Sequence, residues 1–153
     1  MNRFLQILIL TAFLITGLAA CEKATNSFNV TENPVVLKKA ETLMEAIKNQ
    51  DYDLAMKQYS KPFFTSHSRE EWLAKLKAYG KDRGPMLSYK LIKRQADTRF
   101  SAKFYILEYM AIHEGKKRAN HIITMIAPVD SDGIKIVGHK ITPWLVGTDQ
   151  VSQ

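Results

Sequence analysis

The feature that most constrains the fold is a change of hydrophobic period midway along the chain, at Arg83-Gly84-Pro85. Before it, Leu37, Ala40, Leu43, Met44 and Ile47 recur at helical spacing with Lys38, Lys39, Glu41 and Lys48 between them. That is an amphipathic helix with one buried stripe. After it the period falls to two, and 86–95, 103–113, 118–129 and 133–142 read as strands rich in Tyr, Ile, Phe and Val. Helices first and strands second exclude an alternating parallel sheet and leave an α+β layout.

Local signals divide the first half into three helices. Asn33-Pro34 reads as an N-cap followed by proline at the first helical position. Asn49-Gln50-Asp51 breaks that helix, Tyr52, Ala55, Met56 and Tyr59 make a shorter second face, and Pro62 ends it. Phe63 and Phe64 are expected to plug the core at the turn. Ser68-Arg69-Glu70-Glu71 is a capping box for a third helix that buries Trp72, Leu73, Leu76 and Tyr79 and stops near Gly80. In the second half, 114–117 and 130–133 read as hairpin turns, so the four strands form an antiparallel meander.

The first residues carry a different message. Arg3, an apolar run over 4–15 and a set of small residues ending in the only cysteine have the parts of an export signal. Leu18-Ala19-Ala20-Cys21 resembles the lipobox of bacterial lipoproteins. That resemblance implies a diacylglyceryl group on Cys21, cleavage just before it and acylation of the freed amine, making Cys21 a lipidation site and the membrane a partner. An uncleaved helix is the alternative, but this run is at the short limit of a span of ~20 residues and is interrupted by Gln6, Thr11, Thr16 and Gly17. A plain secretory signal would leave an unpaired thiol in an exported protein. Two or more acyl chains hold stably where one holds reversibly. Glu22, where an Asp would mark inner-membrane retention, leans towards the periplasmic face of the outer membrane if the cell is Gram-negative.

The expected layout is a signal peptide at 1–20, a lipidated tether at 21–33, one domain at 34–146 and a polar tail at 147–153. A domain of this size can bury a real core, and with no second cysteine it holds no internal disulfide. The formal charge of the whole chain is +7, and only Arg3 is lost with the signal. An exported, tethered protein rarely meets nucleic acid, so that basic balance suits anionic lipid, an acidic protein or a solvated surface. Phosphate-loop, zinc-helix, Cys-x-x-Cys and nucleophile-elbow signatures are missing, and no cofactor or metal is expected.

Residues 51–64, Glu71-Trp72 and Arg83-Gly84-Pro85 with the following strand resemble a bacterial envelope family known as domain of unknown function 4019. The resemblance covers roughly 37–141, with Ile134-Lys135 departing from a Trp-Arg pair. It implies a cystatin-like or nuclear-transport-factor-like roll, three N-terminal helices on a curved four-stranded sheet around a cone-shaped pocket, and no reaction.

A two-residue turn at Gly115-Lys116 would set Met110 opposite His121 and Glu108 opposite Ile123, and a four-residue loop at 130–133 would set Lys140 opposite Ile123. Alternation then gathers Phe104, Ile106, Glu108, Met110 and Ile112 with Ala119, His121, Ile123, Met125 and Ala127 on one face. Glu108, His121 and Lys140 form the candidate catalytic cluster of that face: a carboxylate in an apolar pocket holds its proton tightly, and a neighbouring histidine can pass one. The simpler reading is a Glu–Lys pair or Glu–His bond satisfying a half-buried rim. His67 and His113 fall in a loop and at a strand end and receive no role.

The remaining face, with Tyr105, Leu107, Tyr109, Ile122, Thr124, Ile126, Val137 and Ile141, is also apolar, whereas an antiparallel sheet usually wets one side. Sheet-to-sheet homodimerisation and a fold-back of Pro143-Trp144-Leu145-Val146 would each cover it. The leading expectation is therefore a membrane-anchored envelope module that binds or assembles with a small apolar ligand or a protein. The alternatives are a small acid–base enzyme using Glu108 and His121, and a structural lipoprotein whose pocket is filled by its own side chains.

Overall fold

The computed structural model describes residues 33–99, 102–128 and 133–144. The signal, the lipobox with Cys21, the tether, the turn at 130–132 and the tail beyond Trp144 lie outside these residues. Within them the chain is α+β, with three α-helices followed by a four-stranded antiparallel sheet in the order β1-β2-β3-β4.

Helix α1 is Pro34–Lys48. The Asn33 side chain accepts from the Val35 N–H at 3.1 Å, occupying one of the donors that a helix start leaves free. Its buried stripe is Val36, Ala40, Leu43, Met44, Ala46 and Ile47. Helix α2, Tyr52–Gln58, is capped by Asp51, which accepts from the Leu54 N–H at 2.9 Å. Tyr59 is already extended and bridges to Ile136, and a 3₁₀ turn, Lys61–Thr65, buries Phe63 against it.

Helix α3, Arg69–Arg83, opens on the expected capping box, both bonds of which are present. It does not stop near Gly80. A glycine inside a helix costs about 1 kcal/mol relative to alanine without breaking it. Here Gly80 serves a close approach, since a Cβ at that position would lie 2.6 Å from the Tyr52 hydroxyl oxygen. The stop comes at Gly84, with φ 78 and ψ 177, a region open only to glycine, followed by Pro85.

The strands are β1 Met86–Arg99, β2 Ala102–His113, β3 Arg118–Pro128 and β4 Lys135–Pro143. The turn between β2 and β3 has three residues, Glu114–Lys116, not two, and both Gly115 and Lys116 have positive φ. One extra residue changes the parity of the pairing, which moves every side chain of one strand to the other face. Glu108 accordingly pairs with Ile122, and His121 with Tyr109. Lys140 also pairs with Ile122 rather than Ile123, with a bulge further along at Thr124/Met125.

The helices cover the face carrying Tyr105, Leu107, Tyr109, Ala111, His121, Ile123, Met125 and Ile136, all buried. Trp72 and Leu76 of α3 and Leu43 and Met44 of α1 complete this core. Each Leu, Ile or Met among them contributes roughly 1.5–3 kcal/mol on burial. Among the described residues, no helix is long and apolar enough to cross a membrane.

Candidate functional site: a buried histidine–tyrosine chain and an open sheet face

The sheet separates the three residues expected to act together. Glu108 and Lys140 lie on the face away from the helices, two strands apart in one row that runs Lys93, Glu108, Ile122, Lys140. His121 is fully buried on the opposite face. The Glu108 carboxylate accepts from the Asn120 side-chain amide at 2.9 Å, so neither a Glu–His bond nor a Glu–Lys pair forms its principal contact. Proton transfer between Glu108 and His121 would have to cross the sheet.

His121 instead belongs to a chain of hydrogen bonds linking five side chains. The Tyr59 hydroxyl lies 2.6 Å from His139 Nδ1, His139 Nε2 lies 3.1 Å from His121 Nδ1, and His121 Nε2 lies 3.2 Å from the Tyr79 hydroxyl. The same hydroxyl lies 2.7 Å from His113 Nε2, and His113 Nδ1 lies 2.9 Å from the Gly84 carbonyl. Each participant has a reason to be there. Tyr59 is fixed at the α2 terminus by stacking on Phe63 at 4.4 Å. Tyr79 faces inward from the last turns of α3, and the three rings share the covered face of β2, β3 and β4.

The proton positions follow from the one group that can only accept, the Gly84 carbonyl. His113 must donate from Nδ1 to it, which leaves Nε2 as an acceptor for the Tyr79 O–H. Tyr79 oxygen then accepts from His121 Nε2–H, His121 Nδ1 accepts from His139 Nε2–H, and His139 Nδ1 accepts from the Tyr59 O–H. With all three rings neutral, every donor meets an acceptor in one direction along the chain. A proton added to His121 would set its Nδ1–H against the His139 Nε2–H, and one added to His139 would remove the acceptor of the Tyr59 O–H.

Electrostatics favour the same state. Burial holds His121 well below its usual range, reinforced by His139 and His113. Burial and the nearby Lys75 ammonium bring His139 down to about 3. His113 is lowered by burial, and further by Arg83 and Lys117, against the opposing bond to Gly84. Burial raises both tyrosine hydroxyls, with the Trp72 indole partly opposing this at Tyr59 and Arg83 partly opposing it at Tyr79. The Trp72 Nε1–H is itself buried without a partner of good hydrogen-bond geometry.

Sequence reasoning did not find this arrangement. Tyr59 and Tyr79 read as apolar helix positions and His113 as a strand end, while His139 was not singled out. The signal was present in the strands, because with a three-residue turn His113, His121 and Tyr109 fall on one face together with His139.

The opposite face is apolar at its centre and basic around it. Phe104, Ile106, Met110 and Ile112 of β2 lie beside Ile122 and Ile126 of β3, and Ile106 is 39% exposed. Lys90, Lys93 and Arg99 border them on β1, Lys135 and Lys140 on β4, and Arg118 at one end, against the acids Asp97 and Glu108. Elsewhere, an open groove of about 430 Å³ runs beside α1, lined by Glu41, Glu45, Asp51, Leu54 and Tyr89 among others. Among the described residues, no group of three or more His, Cys, Asp or Glu side chains is placed to hold a metal ion.

No family model and no curated protein matches this chain. Among solved structures, Bd1075 of Bdellovibrio bacteriovorus is similar, with a TM-score of 0.53 and 15% identity over 74% of this chain and 41% of that one. The chain thus spans about two fifths of that protein, and the likeness supports the α+β fold alone.

Proposed function

We propose that this protein is a lipid-anchored module of the cell envelope, held through Cys21, that binds a partner protein across the open face of its sheet. The observation that carries this reading is the split between the two faces: one is filled by helices, while the other exposes an apolar strip with basic borders. A sheet face that no helix covers among the described residues, with that composition, is a binding surface before it is a reaction site. The cystatin-like roll and the family of domain 4019 are consistent with such a module.

The borders indicate the kind of partner. Six cations and two acids face outward by register, so a second copy would set like charges against each other, whereas an acidic rim would complement them. The alternative use of Glu108 and His121 as an acid–base pair loses its support, because the two lie on opposite faces.

The test is site-specific photo-crosslinking of the full chain in its native cell. A crosslinker at Ile106 or Thr142 is expected to trap one protein with an acidic surface, and one at Val35 on α1 to trap none. Crosslinks joining two copies of this chain would replace the acidic partner with a homodimer. Equal yields from both positions would overturn the assignment to this face. The anchor is tested separately, since Cys21→Ser should abolish labelling by a radioactive fatty acid.

A further inference from the structure

All three buried imidazoles are roofed by a single element. Tyr79 of α3 bonds to both His113 and His121, Trp72 of the same helix packs edge-on to His139 at 5.6 Å, and Lys75 acts on His139 from α3 as well. Helix α3 is lightly held for its length, with Trp72 and Leu76 as its buried residues out of fifteen. We propose that the Tyr59–His139–His121–Tyr79–His113 chain is an acid-sensitive latch, which ties α3 to the sheet when its rings are neutral and releases α3 when they are protonated.

The argument begins with the direction of the hydrogen bonds. An imidazolium donates from both nitrogens, so a proton on His121 removes the acceptor that the His139 N–H needs, and a proton on His139 removes the acceptor of the Tyr59 O–H, which must turn away and lose its donation. A proton on His113 likewise turns its Nε2 against the Tyr79 hydroxyl, which must then reverse and lose its donation. The charged groups that bear on the rings would not compensate. Lys75 of α3 acts on His139, Arg83 of α3 and Lys117 of the β2–β3 turn act on His113, and His121 feels the other two rings. All are cationic or become so. Glu114 approaches the Gly84 end of the chain, with its Oε2 3.7 Å from where a Gly84 Cβ would sit, rather than the two inner rings.

A buried cation without a counter-charge escapes by reaching water. Lifting α3 is the economical route, because one movement uncovers His113, His121 and His139 together and leaves the ladder bonds of the sheet intact. A small void of about 10 Å³ already lies at the Tyr79–His113 end, bordered by Tyr52, Gln50 and Gly84, about the space of one water. Local opening of a sparsely packed helix at lower free energy than global unfolding is an ordinary property of proteins. This latch lies on the face opposite the proposed binding surface and does not depend on that assignment.

Hydrogen exchange of the full chain read by mass spectrometry at pH 7.5 and pH 5, corrected for intrinsic rates, tests it. The expected result is that peptides from 69–83 lose protection at pH 5 by at least ~10-fold and stay less protected than those from 102–113 and 118–128 at both pH values, as local opening below the global free energy requires. Tyr79→Phe, which removes the shared hydroxyl, should raise exchange of 69–83 at pH 7.5 and shrink its pH dependence. Protection of α3 equal to that of the strands at both pH values would overturn the latch in favour of global acid unfolding. Unchanged protection of α3 at pH 5 would overturn it as well.

Discussion

Acidification from pH 7.5 to pH 5 should remove a large part of this protein's stability through two residues. His121 and His139 are held below their ordinary value of 6.5 in the folded state, His139 at about 3. In the unfolded chain both take up a proton near 6.5. Groups whose folded value is depressed in this way contribute fully above the unfolded value, and that contribution is lost as the pH falls from 6.5 towards the folded values. At pH 5 the unfolded state is favoured by about 1.5 units at each ring, and one unit is worth about 1.4 kcal/mol, so each ring costs about 2 kcal/mol and the pair about 4 kcal/mol. His113, where the bond to Gly84 opposes the effect of burial, adds a smaller increment in the same direction. Against a typical stability of about 5–15 kcal/mol, the loss is large enough to be read as a shift in urea midpoint. The slope should approach ~2.7 kcal/mol per pH unit below pH 6 and fall to about half in His139→Gln, after allowance for that variant's own destabilisation. A stability flat between pH 7.5 and pH 5 would refute the reasoning, because it would mean that the rings are charged or hydrated in the folded state.

Two further outcomes test the local chemistry. Gly84→Ala places a Cβ on a backbone at φ 78 and ψ 177 and should cost about 1–3 kcal/mol, measured by thermal or urea unfolding, even though no atom lies closer than 3.5 Å to the new carbon. Ser68→Ala removes the oxygen that accepts from the Glu71 N–H at 3.1 Å and should cost about 1 kcal/mol, while Ser68→Asp should restore most of it.

What could be read from the chain was what depends on neighbouring residues. Asn33-Pro34 and Ser68 with Glu71 act within one helical turn, and the structure places their bonds as the spacing demands. The change of period at Gly84-Pro85 separates helices from strands for the same reason. The register could not be read in that way, because it turns on whether the loop after His113 has two residues or three. Gly115 and Lys116 both adopt positive φ in a three-residue turn that starts at Glu114. That single residue sends Glu108 to the open face and leaves His121 in the core.

The buried chain was hidden for a second reason. Tyr59 and Tyr79 satisfy a helical apolar pattern with their rings, and their hydroxyls carry no periodic signal. Only long-range placement brings Tyr59 to His139, eighty residues later in the sequence. A buried polar network of this kind is specified by the fold, and the sequence records it as isolated histidines and tyrosines.

The most direct measurement is the tautomer of each imidazole in the ¹⁵N-labelled protein at pH 7, read from the two-bond couplings between ring nitrogens and ring protons. The hydrogen-bond chain predicts neutral rings, with the proton on Nδ1 in His113 and on Nε2 in His121 and His139. A charged ring at any of the three, or the opposite tautomer at His121, would contradict the chain.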